Sequence, residues 1–280
     1  MGGEGIVRVK KIRLYMGEIL LWIFSLVILI PLMLIVINAF KTSAETNVLR
    51  LTLPKNGWQW FNFSDIFQET NIIRSFFNSA LVTVVSIGLS VFLGTIAGYV
   101  LNRNKDAVNQ KIYAFFLAGM VVPVQIIALV QVLQKIKLMD NYIGLILVYT
   151  AMFIPQTVFM SYGFVSTVPN DMDEAAIVDG AKPWQLFITI MIPLLKPIIV
   201  TLFITQFVFV WNDFQMPLYL IQSSKNWTIV LGVYNYLGQF SSQWNMVCAY
   251  ILLCTLPVII VYLLGQKYII DGMVAGAVKG

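Results

Sequence analysis

Histidine is absent from this chain of 280 residues, cysteine occurs twice, and charged residues make up only 11%. Without histidine, the usual acid–base group at neutral pH and the commonest metal ligand are missing. A proton relay through buried histidines and acids lacks its parts as well, which counts against a self-sufficient symporter. Cys248 and Cys254 stand six residues apart in one apolar run. No disulfide bridges that spacing within a straight helix, so both read as small hydrophobes and no metal site is expected. No Gly-x-x-x-x-Gly-Lys-Ser/Thr loop occurs, so nothing in the chain cradles the phosphates of ATP. A Gly-x-Ser-x-Gly elbow and a His-Glu-x-x-His helix are missing too, which leaves an intramembrane hydrolase without machinery. The chain is expected to be no enzyme and to bind no cofactor of its own.

The scarcity of charge points to lipid as the solvent. Hydrophobic residues reach 59% and mean hydropathy is +0.83, whereas a soluble domain carries about a quarter charged residues. Uncharged runs long enough to cross a hydrocarbon core of about 30 Å recur along the sequence. They predict six spans near 18–39, 75–100, 112–134, 143–165, 198–220 and 246–266, with Asp213 interrupting the fifth. The runs are too long for barrel strands and lack a period-two alternation, so the fold class is all-α and polytopic. The expected division is a tail over 1–17, a six-helix membrane domain over 18–266 and a second tail over 267–280. The apolar run from Ile19 to Phe40 is too long for a signal core and reads as an uncleaved first span.

Orientation follows from the basic flanks. Arg8, Lys10, Lys11 and Arg13 precede the first span, and Arg103, Lys105 and Lys111 lie between the second and third. Both segments, both termini and the 166–197 loop are therefore expected in the cytoplasm. This bias accounts for the net charge of +5, and nucleic acid is not implied. Outside, Trp58, Trp60, Phe61 and Phe63 read as an interfacial aromatic belt. Trp227, Tyr234, Tyr236, Phe240 and Trp244 fit such a belt, a partner surface or a pathway entrance equally. Gly94 and Gly98 share a helix face and permit close packing. Pro123, Pro155, Pro193, Pro197 and Pro257 predict kinks or breaks.

Within the 166–197 loop the sequence reads as helix, glycine break, helix. Asp171 is placed to cap the first turn, with Glu174 three residues on reaching back as in a capping box. Gly180 suits a left-handed C-terminal cap, and Pro183 suits the first turn of the next helix. The run Glu174-Ala175-Ala176-Ile177-Val178-Asp179-Gly180-Ala181, with Val168-Pro169 before it and Pro193 and Pro197 after it, resembles the EAA loop of ATP-binding-cassette importer permeases. Asn78-Ser79-Ala80, Ala97-Gly98-Tyr99 and the glycine- and alanine-rich tail from Gly272 resemble the maltose-permease branch, in particular the smaller of its two permease subunits.

That resemblance implies a division of labour. Glu174, Ala175, Ala176, Asp179 and Gly180 would couple to an ATPase subunit that holds ATP and Mg. The partners implied are two such ATPases, a second homologous permease subunit, an extracytoplasmic solute-binding protein, a sugar and the bilayer. The tail would reach the ATPase pair through Gly276 and Lys279. Its small residues are not expected to form a stable helix alone. Trp211-Asn212-Asp213-Phe214 combines an aromatic face with hydroxyl acceptors in a span. A buried Asp213 is costly, so the cluster lines the substrate pathway or forms a structural polar pair. A polyol or glycerol-phosphate-type solute is the alternative cargo, and a secondary transporter the alternative class.

Overall fold

The computed structural model describes residues 3–238 and 242–277. Apolar runs with few breakers fold as helices, because in lipid every backbone N–H and C=O must be satisfied within its own segment. In chain order come α1 (Gly3–Ala39), α2 (Phe61–Glu69), α3 (Ile72–Arg103), α4 (Ala107–Val121), α5 (Ile126–Lys135) and α6 (Tyr142–Val165). Then come α7 (Asp171–Val178), α8 (Pro183–Gln185), a π-helical stretch Leu186–Met191, α9 (Ile192–Leu194), α10 (Lys196–Asn212), α11 (Gln215–Leu220) and α12 (Trp244–Ala277). Among the described residues the only strand-like pairing is an isolated bridge between Leu237 and Ser242. The fold is all-α.

Among the described residues four helices are long and apolar enough to cross a membrane, and the count rises to six if each of two bent pairs is one span. Both pairs correct the predicted boundaries. The third run, expected as one span over 112–134 with a kink or break at Pro123, bends by 116° between α4 and α5. Pro123 pushes the residue before it out of the helical region, and Val122 is extended (φ −73, ψ 118). The fifth run, expected over 198–220, joins Pro183–Leu194 to α10 at 73°. It stops at Asn212 because Asp213 turns extended (φ −70, ψ 125). The Asp213 carboxylate then caps α11, accepting from the Gln215 N–H at 2.9 Å and the Met216 N–H at 3.4 Å.

The chain sorts into two compact units. One comprises residues 1–70 and 233–253. Here Phe40 packs against Trp58, Trp60 and Phe63 at ring separations of 4.7–5.3 Å. Asn62 donates to the carbonyls of Ala39 (2.7 Å) and Lys41 (3.0 Å) and accepts from Asn245 (3.1 Å). Lys41, fully buried, donates to Asn38 Oδ1 at 2.9 Å and to the Arg50 carbonyl at 2.7 Å. Of the second aromatic group, Tyr236 is buried, Tyr234 and Trp244 are exposed, and Phe240 lies outside the described residues.

The other unit comprises residues 71–232 and 254–280, with α3 and α6 as its centre. A methyl group added at Gly94 would meet Thr157 Cβ at 2.6 Å, and one at Gly98 would meet Ser161 Cβ at 2.8 Å. The predicted glycine face is therefore where α6 lies against α3. Hydroxyls and an amide tie the helices: Ser90 to Thr157 at 3.2 Å, and Gln206 of α10 to Thr157 at 2.8 Å. Small residues and polar cross-links are how helices associate when lipid removes the hydrophobic drive. Asn78 donates to the Lys225 and Trp227 carbonyls (3.2 and 3.0 Å), and Ser79 accepts from the Ile229 N–H (2.8 Å). The Asn78-Ser79 pair thus straps the 222–229 loop to α3.

Candidate functional site

The loop between α6 and α10 is built as an outward-facing element. α7 ends in a Schellman arrangement: Gly180 is left-handed (φ +79), its N–H donates to the Ile177 carbonyl, and the Ala181 N–H reaches back to Ala176, both at 3.0 Å. Only glycine takes that conformation without a Cβ penalty. Pro183 opens α8, and the Lys182 N–H is met by Gln185 Oε1 at 2.9 Å. Both expectations for the glycine break and the following proline are met.

The N-terminal cap is different from the one expected. α7 starts after Asn170, which is itself helical (φ −66, ψ −26), and no side chain caps it. Asp171 is exposed in the first turn, and the Glu174 N–H simply donates to the Asn170 carbonyl at 3.1 Å. The reason is competition: the Asn170 side-chain oxygen accepts from Arg103 Nη1 at 2.6 Å. The same guanidinium donates from Nε to Asp173 Oδ2 at 2.5 Å and from both Nη atoms to the Val168 carbonyl at 3.2 Å. Arg103 is the last residue of α3, 70 positions from its acid. Sequence reading used Arg103 only as a basic flank and missed Asp173, because no local period links the two.

The result is a two-faced helix. Asp173 and Ala176, three apart, turn inward and are buried. Glu174, Ala175 and Asp179 are exposed, with Met172, Ile177 and Val178 beside them at 42%, 63% and 86% exposure. Among the described residues the Glu174 carboxylate has no partner. Exposed apolar side chains thus surround an acid on a short helix held by its other face. The limb that follows is anchored by rings: Phe187 lies 5.6 Å from Tyr99, and Trp184 lies 6.1 Å from Phe92.

The second predicted cluster is split. Trp211 is 2% exposed, stacks on Phe207 at 5.4 Å, and donates its indole N–H to the Cys254 carbonyl at 3.0 Å. Asn212 is exposed and folds its amide back onto the Val208 carbonyl at 2.8 Å. Asp213, half-buried, accepts from the Tyr149 hydroxyl at 2.8 Å in addition to capping α11. Phe214 is half-buried. A cavity of about 610 Å³ lies nearby among α4, α5, α6 and α10, lined by Met120, Leu147, Phe153, Gln156 and Phe209. Gln156 and Tyr149 carried no sequence signal beyond being polar tips in an apolar run.

The tail differs as well. Gly276 falls in the last turn of α12, which continues to Ala277, while Lys279 lies outside the described residues. A run that would not nucleate a helix alone extends one already formed, since each added residue then gains a bond without the nucleation cost.

Comparison with known proteins agrees with this architecture. Residues 90–270 match the family of binding-protein-dependent transport system inner membrane components. The chain is 33% identical over 222 residues to the melibiose/raffinose/stachyose import permease protein MelC of Bacillus subtilis, covering 78% of this chain and 80% of that one. It is 34% identical over 276 residues to the multiple sugar-binding transport system permease protein MsmG of Streptococcus mutans, covering 96% and 99%. In fold it is similar, at a TM-score of 0.82 and 20% identity over 93% and 98% of the two chains, to a chain of a bacterial ABC transporter involved in alginate import. An all-α, multi-pass membrane chain with an outward-facing α7 and this match over most of its length belongs to the family of binding-protein-dependent inner membrane transport components.

Proposed function

We propose that this chain is one of two permease subunits of an ATP-driven importer for a sugar or oligosaccharide. It would sit in the cytoplasmic membrane with both termini and the 166–197 loop inside. The observation that carries the reading is α7: eight residues, held by Arg103 through one face and presenting Glu174, Ala175, Ile177 and Val178 on the other. The Glu-Ala-Ala run and the Gly180 break fall on that exposed helix. The family supports the transport role, and relatives that import melibiose or multiple sugars support the cargo. Membership of a binding-protein-dependent family does not favour a secondary transporter.

In this mechanism two ATPase subunits carry ATP and Mg, and hydrolysis occurs there. Each ATPase grips the Glu174–Gly180 helix of one permease subunit, and their closure swings the permease pair from inward-open to outward-open. Sugar is then accepted from the extracytoplasmic binding protein. Asn212, Asp213 and Phe214 stand at the edge of the pathway, with Trp211 as the packed support behind them. Gly276 and Lys279 remain candidates for contact with the ATPase pair. The deciding experiment is co-purification of the ATPase with this chain, followed by uptake of the ligand found on the cognate binding protein. Glu174→Ala should abolish uptake or detach the ATPase at wild-type abundance. Normal uptake with the ATPase still bound would remove α7 from the coupling role.

A further inference from the structure

We propose that Arg103 is a positioning residue for coupling: it fixes α7 to the end of α3, so that force delivered to the exposed face of α7 moves the central helix pair. The proposal rests on the docking reading above and adds how the docked helix is tied to the membrane domain. α7 is too short to be rigid by itself, since an isolated helix of eight residues is not stable in water. Its chain connections are weak levers, a turn at residues 166–170 on one side and the Gly180 break on the other. Beside the packing of buried Ala176, its polar tie is one guanidinium engaging three acceptors on both sides of the helix start: Val168 O, Asn170 Oδ1 and Asp173 Oδ2. The Arg103 and Asp173 side chains are only 13% and 12% exposed. The planar fork of arginine serves such a set, which a lysine ammonium does not match.

The other end of this lever is equally firm. Tyr99, one turn before Arg103, lies under the guanidinium at 6.0 Å and touches Phe187 of the following limb. Below it, Gly94 and Gly98 lock α3 against α6 at backbone contact distances. Both limbs of the loop therefore attach to the last three turns of α3, and α3 has no freedom to slide past α6. Arg103 converts a surface helix into a handle on that pair.

The test compares Arg103→Ala with wild type in the assembled, membrane-reconstituted importer. Uptake per ATP hydrolysed should fall by roughly tenfold or more, equivalent to about 1.4 kcal/mol of lost coupling, while the ATPase still co-purifies. Amide hydrogen exchange over residues 170–178 should accelerate. The paired exchange Arg103→Asp with Asp173→Arg restores the ion pair and should recover part of the uptake that Arg103→Asp alone loses. An unchanged uptake-to-hydrolysis ratio, or unchanged exchange over residues 170–178, in Arg103→Ala overturns the proposal. Should Arg103→Ala fail to accumulate, Arg103→Lys carries the same two measurements, with the same overturning result. If no ATPase co-purifies even with wild type, the docking reading is what fails, and the exchange rates still decide whether Arg103 holds α7.

Discussion

At the residue scale, burial separates side chains that look alike in the sequence. Glu174 and Asp173 are neighbours in one acidic run, yet the first is exposed and the second is buried on Arg103. Glu174→Ala should therefore leave stability within about 0.5 kcal/mol of wild type, as for a surface substitution. Thermal unfolding of the detergent-solubilised protein checks this, and a larger loss would show that the carboxylate has a structural partner. Gly180→Ala must hold an alanine at φ +79, which costs about 1–2 kcal/mol; faster proteolysis of the 178–183 segment is the expected readout. Asp213 gives a contrasting case. Asp213→Ala strands the buried Tyr149 hydroxyl and should cost about 1–3 kcal/mol. Asp213→Asn keeps an acceptor and should cost less. Equal melting of both variants would remove the Tyr149 contact from the list of stabilising bonds.

At the element scale, α3 organises its unit. Gly98 faces the Val158 carbonyl and the Tyr162 nitrogen at 3.0 Å from a would-be Cβ. Because those are backbone atoms, Gly98→Ala must push α6 away, and overpacking of this kind costs about 1–3 kcal/mol. Reduced abundance with a lowered melting temperature is the expected result, and wild-type melting would contradict it. The 3-10 turn at Ala44–Thr46 after α1 shows a different device. Glu45 is held below its usual range by the backbone N–H groups of Lys55 (2.8 Å) and Thr42 (3.1 Å). Its folded value is depressed, so its contribution is present above about 4.5 and lost as pH falls through the lower folded value. Hydrogen exchange of the Lys55 amide, corrected for its intrinsic rate, should accelerate below pH 4.5 in wild type. In Glu45→Ala, which removes the acceptor, it should be fast at neutral pH as well.

At the scale of the whole molecule, the topology prediction is direct. Lys182→Cys and Lys225→Cys, introduced separately into a chain with Cys248 and Cys254 replaced by serine, should label from opposite faces of the membrane. Labelling of both from outside would invert the proposed placement of α7. Much of this was legible beforehand, because runs such as 75–100 and 143–165 need only length and hydropathy to declare themselves. The Gly180 break and Pro183 start were legible because each depends on the backbone freedom of a single residue. Three things were not. The third run bends by 116° at Pro123, and a proline in an apolar run signals a disturbance without its angle. The interruption of the fifth run at Asp213 was expected, but its role as the cap of α11 needs the nearby amides to be seen. The tail from Gly272 to Ala277 joins α12 because the helix before it was already nucleated.

The sequence by itself determined the solvent, the helical class, the approximate spans and the helix–glycine–helix form of the loop. Those depend on local composition and on conformations that each residue carries with it. Only the tertiary structure decided what holds the loop in place. Arg103 lies 70 positions from Asp173, and it takes the Asn170 oxygen that a cap would otherwise use. Trp211 likewise reads as either pathway-lining or structural until its indole N–H is found on Cys254 O. A long-range bond is set by which helices pack together, and that depends on Gly94 and Gly98 letting α6 approach α3 before any of these side chains meet.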